Sequence, residues 1–153
     1  MSDTAVNASP GCPLCRPQGE TVLWERDPWR VVLVDDERFP GYTRLIHARH
    51  VREMSDLPDA QRAQCMEIVS RVEIAQRRVL QPDKINLAQF GNMVAHLHWH
   101  IIPRWEDDPH FPEAAWGPAA TRDAAERRRW SDKARRLRGR LDEYRRALDA
   151  QLS

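Results

Sequence analysis

Three histidines alternate with bulky apolar residues in the stretch His96-Leu97-His98-Trp99-His100-Ile101-Ile102-Pro103-Arg104. Successive side chains of a β-strand point to opposite faces, so a strand here would present His96, His98 and His100 together on one face. Imidazoles are costly to bury without hydrogen-bond partners. The spacing therefore predicts a functional site, and three core histidines satisfied by hydrogen bonds are the alternative. Two chemistries fit, metal binding and nucleophilic or acid–base catalysis near neutral pH.

The segments on either side of this stretch predict an antiparallel sheet. Runs rich in Val, Leu, Ile and Trp are separated by turn-forming residues. The predicted strands are residues 21–25, 30–34, 43–48, 84–89 and 97–103. Between the third and fourth strands, apolar residues spaced three or four apart predict one long helix over residues 58–80. Strands, then a helix, then strands is an order typical of an α+β fold with an antiparallel sheet.

The rest of the chain sets the limits of the predicted domain. Residues 1–11 are small and polar and are expected to form a disordered lead-in. One domain is predicted over residues 12–105. Residues 106–153 form an extension, in which prolines and aromatic residues predict an irregular aromatic loop. A single basic helix is predicted to follow this loop over residues 122–151.

Two features of the extension bear on function. In the aromatic loop, His110 is expected at the surface, and Trp116 is expected to anchor the loop by burying its ring. The basic helix carries Arg127, Arg128 and Arg129, which could bind nucleic acid or a polyphosphate. Acidic residues are interleaved with the arginines, so a solvated face of ion pairs is the favoured interpretation, and nucleic acid is not an expected partner.

Composition narrows the class of protein. The 153 residues carry a formal net charge of +1, so the molecule as a whole has no strong field that would attract polyanions. No apolar run approaches the ~18 residues that a membrane helix requires. Residues 1–11 lack the charged start and apolar run of a signal peptide. We therefore expect a cytoplasmic protein that makes no contact with a membrane.

Two of the three cysteines lie close together in Cys12-Pro13-Leu14-Cys15. This spacing suits two ligands of one tetrahedral zinc ion. A redox pair would be expected at a helix start within a βαβ unit, which the sequence does not contain. Two free thiols are the alternative. The third cysteine, Cys65, falls on the apolar stripe of the predicted long helix and is expected in the core.

The histidine stretch closely resembles the signature of the histidine triad (HIT) superfamily, His-φ-His-φ-His-φ-φ with φ apolar, at every position from His96 to Ile102. The resemblance covers about residues 12–105. Further landmarks agree in order; they are Asp35-Asp36, Pro40-Gly41, His50 and Gly91-Asn92. The resemblance implies an antiparallel sheet with one long packed helix, a homodimer, and hydrolysis or transfer of nucleotidyl groups at the α-phosphate. Implied substrates are purine nucleotides such as dinucleoside polyphosphates, nucleoside phosphoramidates and adenylylated molecules.

The resemblance also implies roles for individual residues. His98 is the expected nucleophile, with one ring nitrogen donating to a backbone carbonyl so that the other is free to attack. His100 is expected to contact the phosphate or the leaving group, and His96 to support the site or bind metal. Among the substrate-binding residues, Asn92 is expected to contact phosphate. Asp35 and Asn86 are expected to contact ribose.

The resemblance further implies where the two remaining zinc ligands lie. In zinc-carrying members of the superfamily they correspond to His50 and His96, which together with Cys12 and Cys15 complete a four-ligand site. Such a closed site is structural rather than catalytic. His47 lies nearby in sequence but matches a position that is not a ligand.

Two departures from the superfamily's pattern keep other functions open. Tyr42 stands where a histidine is often found, and Met93 stands where a serine or threonine commonly assists departure of the leaving group. Slower catalysis or a different substrate is therefore expected. The alternatives to a nucleotide hydrolase are a zinc-stabilised nucleotide-binding regulatory module with little turnover and a nucleic-acid end-processing deadenylase.

Overall fold

The computed structural model describes residues 8–17 and 19–153, so most of the predicted lead-in lies outside the described residues. Five strands and three α-helices occur there. They are β1 Thr21–Arg26, β2 Trp29–Leu33, β3 Thr43–His47, α1 Asp59–Leu80, β4 Lys84–Ala88, β5 His98–Arg104, α2 Ala124–Arg138 and α3 Leu141–Leu152. The five predicted strands and the predicted long helix are confirmed, with shifts of at most one residue at their ends. No helix in the described residues is long and apolar enough to cross a membrane.

The sheet has the strand order β1-β2-β3-β5-β4, and all neighbouring strands are antiparallel. The histidine strand β5 therefore lies between β3 and β4. Its register on β3 places His98 opposite Ile46 and His100 opposite Arg44. This arrangement confirms the predicted α+β class with an antiparallel sheet.

The two faces of the sheet have different environments. One face is covered by α1, whose buried residues Cys65, Val69 and Val72 pack in the same core as Leu45 and Ile101 of the central strands. This burial raises the pKa of the Cys65 thiol to about 12, as expected for a cysteine of the core. The other face bears the histidines, because alternate residues of β5 point away from α1.

The single C-terminal helix predicted over residues 122–151 is wrong, because the chain forms two helices. The break falls at Gly139 and Arg140, and the amide of Gly139 donates to the carbonyl of Arg135 to close α2. Glycine is a poor helix former. The break lets two separate apolar stripes reach the core; their buried residues are Trp130, Ala134 and Leu137 in α2 and Tyr144, Leu148 and Leu152 in α3.

A buried ion pair holds the irregular loop that follows β5. Nε of Arg104 lies 2.7 Å from an Asp108 carboxylate oxygen, and the two side chains are only 2% and 0% exposed. The carboxylate also accepts hydrogen bonds from the backbone amides of Trp105, His110 and Phe111. Burial acts to raise the pKa of Asp108, but Arg104 and the amides of His110 and Phe111 outweigh it and lower the pKa below its usual value. The pair therefore fixes the course of the loop.

Two expectations for this loop are wrong. His110 is buried. Its Nδ1 donates to the carbonyl of Gly117 at 2.9 Å, and its Nε2 accepts from Arg38 at 3.2 Å. Trp116 is 52% exposed and does not bury its ring. The backbone amide of His110 donates to Asp108, which draws His110 into the interior, and the loop buries the ring of Trp105 instead of that of Trp116.

Replacing Asp108 by alanine leaves the buried Arg104 guanidinium without its carboxylate. We expect the free energy of unfolding to fall by about 3–5 kcal/mol, because an unpaired buried charge is strongly destabilising. Urea denaturation measures this loss. The control is Asp132→Ala, whose ion pair with Arg135 is 56% and 72% exposed, and which should lose less than about 1 kcal/mol. Equal losses in the two variants would contradict the assigned role of Asp108.

Candidate functional site

A cleft of about 880 Å³ opens on the histidine face of the sheet. Its floor contains His98 and His100 of β5 and Arg44 of β3, which project to this side because of the alternation of strand side chains. The turn before β5 forms one wall, and the N-terminal segment around Cys12 forms another. Fold and sequence together thus assemble a concave site around two of the three histidines.

His98 has one ring nitrogen engaged and the other free. Its Nδ1 donates to the carbonyl of His96 at 2.6 Å, as the resemblance implied. Burial lowers the pKa of His98 below its usual value, although this hydrogen bond acts in the opposite direction. The ring is therefore neutral at neutral pH, with its proton on Nδ1 and a lone pair on Nε2. A neutral imidazole of this tautomer has the form that a nucleophile requires.

His100 is hydrogen-bonded to the residue that departs from the superfamily's pattern. The hydroxyl of Tyr42 lies 2.5 Å from Nδ1 of His100. Burial raises the pKa of Tyr42, so the phenol keeps its proton. We assign it as the donor in this hydrogen bond, which fixes the tautomer of His100. Burial, with the nearby charges of His98 and Arg44, lowers the pKa of His100 to about 3. His100 is therefore neutral, and its Nε2 carries a hydrogen that can donate to a bound ligand.

His96 belongs to a separate cluster with His50 and the paired cysteines. Its Nε2 donates to the carbonyl of His47 at 2.6 Å, which leaves Nδ1 with a lone pair. That Nδ1 lies 3.5 Å from Sγ of Cys12 and 3.4 Å from Sγ of Cys15. Nδ1 of His50 lies 3.2 Å from Sγ of Cys15, and the four ligand atoms are within 4.8 Å of one another.

These four residues fit a zinc ion. Zinc–sulfur and zinc–nitrogen bonds of about 2.3 and 2.0 Å in a tetrahedron separate neighbouring ligand atoms by roughly 3.5 Å. Three of the six separations, at 3.2–3.5 Å, are close to this value, and all six are within 4.8 Å. Donation of the second nitrogen of His96 to a carbonyl is also the arrangement that orients metal-binding histidines.

His47 lies outside the cluster. Its Nδ1 accepts from the amide of Arg49 at 3.1 Å, and its Nε2 donates to the side-chain oxygen of Gln61 at 3.2 Å. Both ring nitrogens are therefore occupied.

The three predicted substrate-binding residues lie in different places. Asn92 lines the cleft close to His98 and His100. Neither Asp35 nor Asn86 is among the described residues that line it. Asp35 is exposed after β2, and the side-chain oxygen of Asn86 accepts from Arg104 at 2.8 Å. Only Asn92 is thus brought together with the histidines, and all three roles stay predictions.

Sequence reasoning did not place Arg44, Phe90 or Trp116 in the cleft. Arg44 is a cation beside His100, and its position follows only from the pairing of β3 with β5. The rings of Phe90 and Trp116 meet edge to face with centroids 5.0 Å apart, and the Trp116 ring lies 4.9 Å from that of His100. Half-exposed aromatic rings at the mouth of a cleft can stack on a flat ligand. The aromatic composition of the loop was the only signal for Trp116.

Comparison with protein families identifies a HIT domain over residues 17–107. A relative, AP-4-A phosphorylase of Mycobacterium tuberculosis, is 30% identical over 78 residues, which are 47% of this chain and 40% of the relative. The chain therefore matches less than half of the length of that relative.

Several solved structures share the fold. A histidine triad protein from Bradyrhizobium japonicum has a TM-score of 0.60 and 31% identity, with 77% of this chain and 90% of that chain covered. One from Marinobacter aquaeolei VT8 has a TM-score of 0.60 and 28% identity over 80% and 90% of the chains. A Zn-bound histidine triad family protein from Mycobacterium smegmatis has a TM-score of 0.54 over 87% and 96% of the chains; its 20% identity shows the fold alone.

The low pKa of His100 predicts a dependence of stability on pH. Its folded-state pKa is about 3, and the ordinary value is 6.5. Between these values the unfolded chain binds a proton at His100 and the folded chain does not, so stability falls as the pH decreases from 6.5. His100→Gln lacks this contribution. As the pH decreases, its free energy of unfolding should fall less steeply than that of the wild-type protein, and the two slopes should differ by up to about 1.4 kcal/mol per pH unit.

Urea denaturation of both proteins between about pH 4 and 6.5 checks this difference. Parallel stability curves would contradict the lowered pKa, because groups that the two proteins share cancel in the comparison.

Proposed function

The chain belongs to the HIT domain family, and on that premise we propose that it cleaves a nucleotide at the α-phosphate through a nucleotidyl intermediate on His98. The observation that carries this proposal is the hydrogen bond from Nδ1 of His98 to the carbonyl of His96. Nε2 is then the free nitrogen of the His98 ring, which lines the cleft, and it carries a lone pair. Nucleotide processing by the related AP-4-A phosphorylase supports the same class of chemistry.

The proposed reaction has two displacements at phosphorus. Nε2 of His98 attacks the α-phosphorus, a P–N bond forms, and the bond to the leaving group breaks with its electron pair. The positive charge that develops on the ring is stabilised through Nδ1–H and the carbonyl of His96. Water or another acceptor then attacks phosphorus, the P–N bond breaks, and the electron pair returns to Nε2.

Neighbouring groups would stabilise the charge on the phosphoryl oxygens. Nε2–H of His100 is a donor held in one tautomer by Tyr42, and the Asn92 amide lies at the same cleft. Donors preorganised in a partly buried site are worth more than the same donors in water. Tyr42 thus orients the hydrogen-bond donor of His100 towards the cleft.

The substrate we propose is a purine nucleotide, either a dinucleoside polyphosphate or a nucleoside phosphoramidate. The cleft has apolar walls at Leu14, Val94 and the ring pair of Phe90 and Trp116, which suit a flat base. A homodimer and the contacts of Asp35 and Asn86 with ribose stay predictions from the resemblance.

We also propose that Cys12, Cys15, His50 and His96 bind one structural zinc ion. Four protein ligands leave no open position, so the ion would supply folding energy and no chemistry to the reaction. It would link the N-terminal segment, which lines the cleft, to His96, whose carbonyl orients His98. Zinc would therefore support the nucleophile without contacting the substrate.

A nucleotide-binding module with little turnover is the second candidate. Met93 is 97% exposed and offers no hydroxyl near the leaving group, which favours slow cleavage. The enzyme and the binding module would bind the same nucleotide, and they differ in the rate at which they cleave it.

His98→Ala removes the proposed nucleophile. We expect kcat/KM for diadenosine tetraphosphate or for adenosine 5′-phosphoramidate to fall at least about a thousandfold. Acid quenching of the wild-type reaction should trap a protein adduct heavier by one nucleotidyl group, detected by mass spectrometry and missing in His98→Ala. Wild-type protein that binds AMP but cleaves neither substrate faster than the variant would support the binding module instead.

Metal analysis tests the zinc proposal. Purified wild-type protein should contain about one zinc per chain, and Cys12→Ala should lose it together with thermal stability. Cys65→Ala is the control, because Cys65 is also a free thiol but lies in the core away from the four ligands. Less than about half an equivalent in the wild-type protein, or equal zinc in Cys12→Ala, would contradict the site.

A further inference from the structure

A guanidinium next to His100 has no role in the reaction described above. Arg44 lies on β3 directly opposite His100 of β5, and both side chains line the cleft. Opposite residues of paired strands share a face of the sheet, so Arg44 and His100 are immediate neighbours there. His98 is instead opposite Ile46. Arg44 is therefore the direct neighbour of the second cleft histidine, and its charge also acts on His98, whose pKa it helps to lower.

The charge of Arg44 is not neutralised within the described chain. Among residues 8–17 and 19–153, no carboxylate oxygen lies within 4.0 Å of an Arg44 nitrogen. Glu20 lines the same cleft, but its carboxylate is 3.0 Å from Nε of Arg30. Nε of Arg44 is buried and has no hydrogen-bond partner. A partly buried, unpaired cation is costly, and the nearby Tyr42 ring, 5.5 Å from the guanidinium carbon, offsets only part of the cost.

We propose that Arg44 is a specificity-determining residue that binds phosphate oxygens of the leaving group. The inference rests on the proposed function, because it needs His98 to attack the α-phosphorus. Guanidinium groups match phosphate oxygens with paired, charge-assisted hydrogen bonds. Because His100 and Asn92 are already assigned to the oxygens of the α-phosphate, we assign Arg44, directly opposite His100, to the phosphates that depart.

This contact selects one of the two proposed substrate classes. When the leaving group is a polyphosphate, the P–O bond breaks with its electron pair on oxygen, and the departing chain gains negative charge beside Arg44. When the leaving group is an amine, the P–N bond breaks and nitrogen must take up a proton. An amine offers the guanidinium no anionic oxygen. Arg44 therefore favours dinucleoside polyphosphates over nucleoside phosphoramidates.

Two substitutions of Arg44 test the assignment with both substrates. Arg44→Leu should lower kcat/KM for diadenosine tetraphosphate about tenfold to a hundredfold and change kcat/KM for adenosine 5′-phosphoramidate less than about threefold. Arg44→Lys keeps the charge and should retain more of the polyphosphate activity. Arg128→Leu, an exposed arginine of α2, is the control and should change neither rate. Thermal unfolding of each variant establishes that it is folded.

Binding of inorganic tripolyphosphate, measured by calorimetry, separates this inference from the proposed function. Arg44→Leu should weaken its affinity about tenfold or more, whether or not the protein cleaves either substrate. A wild-type protein that cleaves neither substrate would overturn the proposed function. Equal losses of kcat/KM for the two substrates in Arg44→Leu would overturn the assignment of Arg44 to the leaving group. Unchanged tripolyphosphate affinity would overturn the anion site itself.

Discussion

A single short hydrogen bond, from Nδ1 of His98 to the carbonyl of His96, connects the two polar centres of this protein. On one side, it sets the tautomer of His98 and leaves Nε2 with its lone pair in the cleft. On the other side, His96 is held by its own hydrogen bond to the carbonyl of His47 and by its contacts with Cys12 and Cys15. The orientation of the proposed nucleophile thus depends on the backbone that leads into the cysteine–histidine cluster.

The tasks proposed for the histidines differ because their surroundings differ. His98 donates to a backbone carbonyl, whereas His100 accepts from the phenol of Tyr42, so the two neighbouring rings expose opposite hydrogen-bonding groups. One offers a lone pair and the other offers an N–H. Burial lowers the pKa of both rings, which keeps them neutral where a nucleophile and a neutral donor are needed. Arg44 then provides the positive charge that the neutral histidines do not.

Much of this organisation could be predicted from local patterns. The alternation of His96, His98 and His100 indicated both a strand and a shared face, and the apolar spacing of α1 indicated its buried stripe. The helix break at Gly139, the burial of His110 and the exposure of Trp116 were not predicted. The break lets the stripes of α2 and α3 reach the core separately, His110 is held by Arg38 from a distant part of the chain, and Trp116 lies against the ring of His100, so each depends on tertiary packing that no local period reveals.

By itself, the sequence determined the strands, the long helix, the α+β class, the histidine strand and the paired cysteines, because the repeat of side-chain direction and the spacing of ligands are local properties. Only the tertiary structure decided that Tyr42 donates to His100, that Arg44 stands unpaired beside it, and that Asn86 contacts Arg104 instead of the cleft. Those contacts join residues 18 to 58 positions apart. They arise from strand register and from the satisfaction of buried polar groups, and both are set by the folded chain as a whole.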